Sequence, residues 1–374
     1  MSKPALNQLR RLVVKIGSSL LTGSDGCLDT AWLQSLAEDI AELRRKGHDV
    51  LIVSSGAVAV GSQILGIDRH RARLEGLQAA AAAGQVQLVH AYQEALEKYG
   101  IQAAQVLLTP DDTEIRRRFL NARGTLEKLL EHDVVPVINE NDTVATDELR
   151  YGDNDRLAAR VAQTVMADGL ILLSDVDGFY TKDPRIDSAA EFIPLLTSID
   201  DKHLAMAGGT GSSNASGGMA TKLLAAKIAT HAGCATIIAS GVDNHPLRSL
   251  ENGAKHSLFT APETPKAARK QWLAGVLDVN GELSVDDGAA EALGNGKSLL
   301  PVGLVDVTGD FQRGDAVSIK CKNGLELGRG LAAYSSDEAV TIKGCRSDQI
   351  EAVLGYRGRS VLVHRDDLVL FDAK

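Results

Sequence analysis

The sequence predicts an α/β fold, a mostly parallel sheet sandwiched by helices, followed by a small β-rich domain. Three observations lead there. Short apolar, β-branched runs at 12–16, 50–53, 104–108, 134–138, 169–173 and 236–239 alternate with longer segments whose apolar residues recur every three or four positions. The 36 glycines stand against only 6 Phe, 6 Tyr and 2 Trp, so the core is expected to be aliphatic, with close backbone approaches. After Trp272 the texture changes to short alternating runs punctuated by Asn280-Gly281, Asp287-Gly288, Thr308-Gly309-Asp310, Arg313-Gly314-Asp315 and Asn323-Gly324, each read as a turn. The proline- and lysine-bearing segment 263–270 reads as the connection, which divides the chain into domains 1–275 and 276–374.

In chain order, the strand at 12–16 leads into Lys15-Ile16-Gly17-Ser18-Ser19, a lysine beside small residues whose N–H groups can approach an anion. The Gly-x-x-x-x-Gly-Lys-Ser/Thr spacing is absent, which excludes a P-loop. A helical pattern covers 30–46. The strand at 50–53 ends in Ser54-Ser55-Gly56-Ala57, either a plain N-cap or a second donor-rich turn on the same edge of a parallel sheet. Helical patterns at 74–99 and 121–131 flank the strand at 104–108.

The run at 134–138 is too short and β-branched for a helix, and it leads into Asn139-Glu140-Asn141-Asp142. Gly152-Asp153-Asn154-Asp155 follows ten residues later, before a helix at 155–166. One acid there would serve as an N-cap, yet two polar clusters exceed what capping requires and mark an acceptor site at the strands' carboxyl edge. Ser174-Asp175 closes the strand at 169–173, where Asp175 either caps a turn or receives a hydrogen bond from a nucleotide. The glycine- and serine-rich stretch 208–222 is a linker or a phosphate loop. Lys222, in the first turn of a helix at 221–231, favours the second, because a cation there needs an anion nearby.

Composition sets further bounds. With 374 residues, 44% apolar and 24% charged, the chain is long enough for two cores. A net charge of −9 gives no general attraction to nucleic acid or anionic membranes. Lys15 interrupts the first apolar run and no run approaches the ~18 residues that span a bilayer, so a cytoplasmic protein without membrane association is expected. Cys27, Cys234, Cys321 and Cys345 form no Cys-x-x-Cys pair, which speaks against a zinc site or a disulfide framework.

Taken together, Lys15-x-Gly17-x-Ser19, Ser54-Ser55-Gly56-Ala57, Phe119-Leu120-Asn121-Ala122-Arg123, Asn139-Glu140-Asn141-Asp142, Gly152-Asp153-Asn154-Asp155 and Gly217-Gly218-Met219-x-Thr221-Lys222 closely resemble the amino acid kinase family. Within that family the pattern is similar to the bacterial enzymes that phosphorylate the side-chain carboxylate of L-glutamate, the first step of proline biosynthesis. The residues after about 280 resemble a PUA domain. The resemblance implies ATP with Mg2+ as cofactors and L-glutamate as acceptor. It also implies proline as a feedback inhibitor and a homo-oligomer. It carries Lys15 and Lys222 over as the phosphate-facing lysines and Asp155 as the aspartate that orients them. Ser55, Asp142 and Asn154 look like the glutamate-binding positions, supported by Asn139. Lys15, Gly17, Ser174, Asp175, Ser216, Gly217, Gly218, Met219, Ala220, Thr221 and Lys222 would contact the nucleotide, and no protein residue is assigned to the metal. Ser174 stands where the family often has threonine, and Ala215-Ser216 where Gly-Thr is common.

PUA domains elsewhere bind structured RNA. Residues 281–374 hold eleven Lys and Arg against fifteen Asp and Glu, which disfavours RNA here, although Arg357, Arg359, His364 and Arg365 could form a local patch. Another kinase of the same fold, acting on aspartate, acetylglutamate, carbamate or a nucleoside monophosphate, is the enzymatic rival.

Overall fold

The aliphatic runs become strands in a computed structural model that describes residues 6–23, 26–69, 71–144, 154–208, 218–275 and 279–371. These residues divide into two compact units: Met1–Glu114 with Ala122–Pro265, and Ile115–Asn121 with Lys266–Lys374. Most of the helix Pro265–Ala274 falls in the second unit, as does the short segment Ile115–Asn121.

In the first unit the strands are β1 (Arg11–Ile16), β2 (Asp49–Val53), β3 (Ala103–Leu108), β4 (Val135–Glu140), β5 (Gly169–Ser174), β6 (Phe179–Tyr180), β7 (Phe192–Ile193), β8 (Leu195–Leu196), β9 (Ala235–Ser240) and β10 (His256–Phe259). Eight of them form one sheet in the order β3-β4-β2-β1-β5-β9-β10-β8. Every pairing in this sheet is parallel except β9 with β10, which run antiparallel and are joined by residues 241–255, including the helix Pro246–Glu251. The run from His256 to Phe259 is too short to stand out by pattern, which is why the alternating-element reading stops at β9.

The helices are α1 (Ser18–Leu21), α2 (Thr30–Arg45), α3 (Ala57–Leu65), α4 (Leu74–Glu97), α5 (Pro110–Glu114), α6 (Arg116–Glu131), α7 (Asn154–Thr164), α8 (Asp201–Met206), α9 (Met219–His231) and α10 (Pro246–Glu251). Strand side chains alternate between two cores, as a sheet covered on both faces requires. Leu12, Val14, Ile16, Val50, Ile52, Ile171 and Leu173 pack with Leu33, Leu36 and Ile40 of α2 and Leu88 and Tyr92 of α4. Val13, Leu51, Val53, Leu170 and Leu172 pack on the other face with Leu157, Val161 and Ala162 of α7 and Leu223, Ala225 and Ala226 of α9. Lys15 lies two residues beyond Val13 and therefore points to the α7 and α9 face.

α3 and α4 approach until their backbones touch. A Cβ built on Gly61 would stand 1.7 Å from the carbonyl oxygen of Ala80, and one on Gly84 would stand 1.9 Å from that of Ala57. Only glycine fits at either crossing point, so the small-residue run of α4 is a packing face.

The second unit has α11 (Pro265–Ala274), α12 (Asp287–Gly294), α13 (Ser336–Thr341) and α14 (Ile350–Leu354) with β11 (Gly281–Val285), β12 (Leu304–Gly309), β13 (Ala316–Cys321), β14 (Glu326–Leu331) and β15 (Leu368–Leu370). Its sheet runs β12-β11-β13-β14-β15 over a core that includes Leu283, Phe311, Val317, Ile319, Tyr334 and Val363. Asp287-Gly288, read as a turn, instead opens α12, because Asp286 caps it by accepting from the Ala289 N–H at 2.7 Å. No described helix is long and apolar enough to cross a membrane.

Candidate active site

The parallel strands deliver their carboxyl ends to one edge, where β1, β2, β4 and β5 stand side by side. The edge opens into a cleft of about 410 Å³ lined by Lys15, Gly17, Ser55, Gly56, Arg69, Asn139, Glu140, Asp142, Asn154, Ser174, Asp175 and Lys222 among others. Seven stretches of sequence between residues 15 and 222 thus meet at one place.

At its floor, Lys15 of β1 and Lys222 of α9 grip Asp155 of α7. Lys15 Nζ lies 2.6 Å from Oδ1 and Lys222 Nζ lies 3.1 Å from Oδ2. All three are buried, Asp155 completely. Burial alone would raise the Asp155 pKa, but the charges and hydrogen bonds of Lys15 and Lys222 outweigh it and hold the carboxyl below its ordinary value. Thr221 Oγ1 shares its one hydroxyl proton between the Gly218 carbonyl, at 2.7 Å, and Asp155 Oδ2, at 3.1 Å. The anion that Lys222 needs near a helix start is therefore supplied first by the chain itself. With Asp155 ionised, the group still carries one net positive charge in a desolvated floor, which favours an anionic ligand above it.

The opposite wall is built from amides and hydroxyls. Asn154 Nδ2 reaches the Ser54 carbonyl (2.6 Å), Ser55 Oγ (3.1 Å) and Asn139 Oδ1 (2.8 Å). Asn139 in turn donates to Gln85 Oε1 at 2.7 Å, and its Oδ1 accepts from the Glu140 N–H at 2.9 Å. Ser54 Oγ and Tyr92 OH share a hydrogen bond of 3.0 Å. Asn139 and Glu140 are the last residues of β4 rather than a loop beyond it, and both are buried. Gln85 and Tyr92, seven residues apart on α4, hold this wall from behind. The sequence reading missed them; Gln85 closes the run Ala79–Gly84 but is one of three glutamines around it, with Gln78 and Gln87, so nothing set it apart.

Gly56 adopts φ +98° at the start of α3, a conformation that requires glycine or strains anything else. Gly17 is different: its φ is −69°, and an added Cβ would stand 3.6 Å from the Leu173 carbonyl, an ordinary contact. Among the described residues nothing demands glycine there. Ser174 Oγ donates to Asp175 Oδ1 at 2.9 Å at the end of β5, and Arg185 lies 3.6 Å from the other carboxylate oxygen. Gly218, Met219 and Ala220 form the start of α9 beside the lysine group. Ser216 and Gly217, like Gly152 and Asp153, lie outside the described residues. Arg69, between α3 and α4, lines the cleft and no sequence signal set it apart from Arg71 and Arg73.

A sheet edge with two lysines on one buried aspartate, facing an amide-rich pocket, defines a phosphotransferase architecture. The amino acid kinase family model matches residues 10–240 and the PUA domain model matches residues 281–354, and the chain belongs to the amino acid kinase family. Among curated relatives, the glutamate 5-kinase of Rhodospirillum rubrum is 56% identical over 359 residues, covering 96% of each chain. That of Paramagnetospirillum magneticum is 55% identical, covering 96% of this chain and 98% of its own, and that of Rhizobium rhizogenes is 53% identical, covering 99% and 95%.

Proposed function

We propose that this chain transfers the γ-phosphoryl group of ATP to the side-chain carboxylate of L-glutamate, giving L-glutamyl 5-phosphate for proline biosynthesis in the cytoplasm. The observation that carries the proposal is the buried Lys15–Asp155–Lys222 group opening onto the Asn154–Asn139 wall within one cleft. Relatives bearing that activity by name cover nearly the whole chain at more than half identity.

Phosphoryl transfer requires little covalent chemistry from protein; it requires charge on the transferring oxygens and in-line placement of the acceptor. Lys15 and Lys222 supply the charge from two sides, and Asp155 fixes where both ammonium groups stand. Ser55, Asn154 and Asn139 hold the acceptor, and Asp142 receives its α-ammonium group. Gly17, Gly56, Ser174, Asp175 and residues 216–222 embrace the nucleotide. The cleft's donors are ammonium and N–H groups for phosphate oxygens, with carboxylates at Asp142 and Asp175, a mixed set that fits a polyphosphate carrying a hydrated divalent cation. Mg2+ would be held mainly by the phosphates and supplies neutralisation of their charge when bound. Proline as an inhibitor competing at the glutamate pocket, and assembly into a homo-oligomer, belong to the same proposal, with kinase chemistry assigned to 1–275 and the PUA-like domain to 276–374.

The test is to incubate the protein with ATP, Mg2+, L-glutamate and hydroxylamine. Glutamate-dependent ADP release matched by γ-glutamyl hydroxamate is expected, whereas ADP release without hydroxamate would remove the acyl phosphate product and with it the acceptor assignment.

A further inference from the structure

In the second unit Arg116 stands 3.9 Å from Asp315, whereas its neighbours Arg117 and Arg313 have no carboxylate within ion-pair distance among the described residues. Gly314 runs against the start of α6: a Cβ built on it would stand 3.0 Å from the Arg116 carbonyl carbon and 3.0 Å from the Arg117 nitrogen. That approach sets Arg313 beside the first turn of α6. Arg359 reaches the same helix, its Nη2 donating to the Leu120 carbonyl at 3.1 Å, and its own carbonyl accepts from the Tyr334 hydroxyl. Burial, then the charges of Arg359 and Arg117, hold the Arg313 guanidinium below its ordinary pKa. The nearby carboxylate Glu338 offsets part of this through its charge, while its oxygens accept from Tyr356 OH at 2.6 Å and from the Ser335 N–H at 3.0 Å rather than from a guanidinium. Among the described residues neither Arg117 nor Arg313 has an ion-pair partner, and Arg313 Nε is buried with no acceptor.

Crowding three guanidinium groups costs free energy, and placing basic residues in the first turn of a 16-residue helix adds to that cost. Both costs fall when an anion sits among them. We propose that Arg117, Arg313 and Arg359 form a binding site for a small oxyanion, a phosphate or phosphomonoester group, made of residues other than those of the kinase cleft. Guanidinium forks match phosphate oxygens in pairs, which a cluster of lysines would not do. The fifteen acids against eleven bases of residues 281–374 favour a small ligand over a nucleic acid backbone.

Calorimetric titration of the full chain with inorganic phosphate, at ionic strength held constant with chloride, tests the site. Arg117 is exposed, so Arg117→Gln is expected to fold normally, which its melting temperature checks. The expected result is a saturable event that Arg117→Gln weakens about tenfold or more, that Lys222→Ala leaves in place, and that Arg346→Gln, an exposed charge 3.9 Å from Asp348, does not alter. Binding lost entirely in Lys222→Ala, or reduced equally by Arg346→Gln, would overturn the proposal. Displacement of phosphate by single-stranded RNA with a steep salt dependence would also overturn it, by making the surface a nucleic-acid contact.

Discussion

Asp155 has no exposure to water and two lysines on its carboxylate, so its charge state bears on the stability of the fold. Its folded pKa lies below the ordinary value of 3.8. The stabilisation it provides is therefore fully present above that value and is lost as pH falls through the lower folded pKa. Urea unfolding of wild type and Asp155→Asn should differ at neutral pH, and the gap should close as pH drops below about 4; a gap independent of pH down to 3 would contradict the assignment. Lys15→Ala or Lys222→Ala is expected to lower kcat about 10²- to 10³-fold, with glutamate affinity changed far less. Asp142→Ala should instead raise the KM for glutamate by about tenfold to a hundredfold with kcat largely kept, as steady-state kinetics would show. The lysines were legible in sequence because each ends or begins an element beside glycine. Gln85, Tyr92 and Arg69 were not, since a buried glutamine or tyrosine on a long helix, or an arginine in a basic loop, carries no local pattern that separates support from packing.

At the level of elements, the site depends on how closely α3 and α4 can lie. Gly84→Ala places a Cβ 1.9 Å from a backbone oxygen, with Gln85 next in sequence and bonded to Asn139. The helices must separate, at a cost of about 3 kcal/mol, and the Asn139–Asn154 wall should shift with them. A fall in melting temperature together with a raised KM for glutamate is expected; loss of stability with unchanged KM would uncouple that wall from α4. Most elements were readable because both periodicities are clean: two-residue alternation places Val13 and Lys15 on one face of the sheet, and α7 turns Leu157, Val161 and Ala162 into the core on that same face. The antiparallel β10 was not, because four residues bounded by irregular chain fall below any periodic signal.

For the whole molecule, the two-unit plan followed from the change of texture after Trp272, but the edge of the second unit did not. Leu120 and Leu273, distant in sequence, are buried together with Ala316, Leu331 and Val369, a long-range association that no local pattern announces. Truncation after residue 275 removes those last three and leaves Leu120 and Leu273 uncovered. Such a protein is expected to aggregate more readily while its folded fraction keeps kinase turnover, since every residue assigned to the cleft lies between 15 and 222; sedimentation and ADP release per folded molecule would check both. The central claim is that one cleft holds glutamate's side-chain carboxylate against a phosphate steered by Lys15 and Lys222. A structure with L-glutamate and a nonhydrolysable ATP analogue tests it most directly. The side-chain carboxylate should face the terminal phosphate between the two lysines, with the α-ammonium on Asp142; glutamate bound away from Asp142 and Asn154, or a terminal phosphate out of reach of either lysine, would contradict the account.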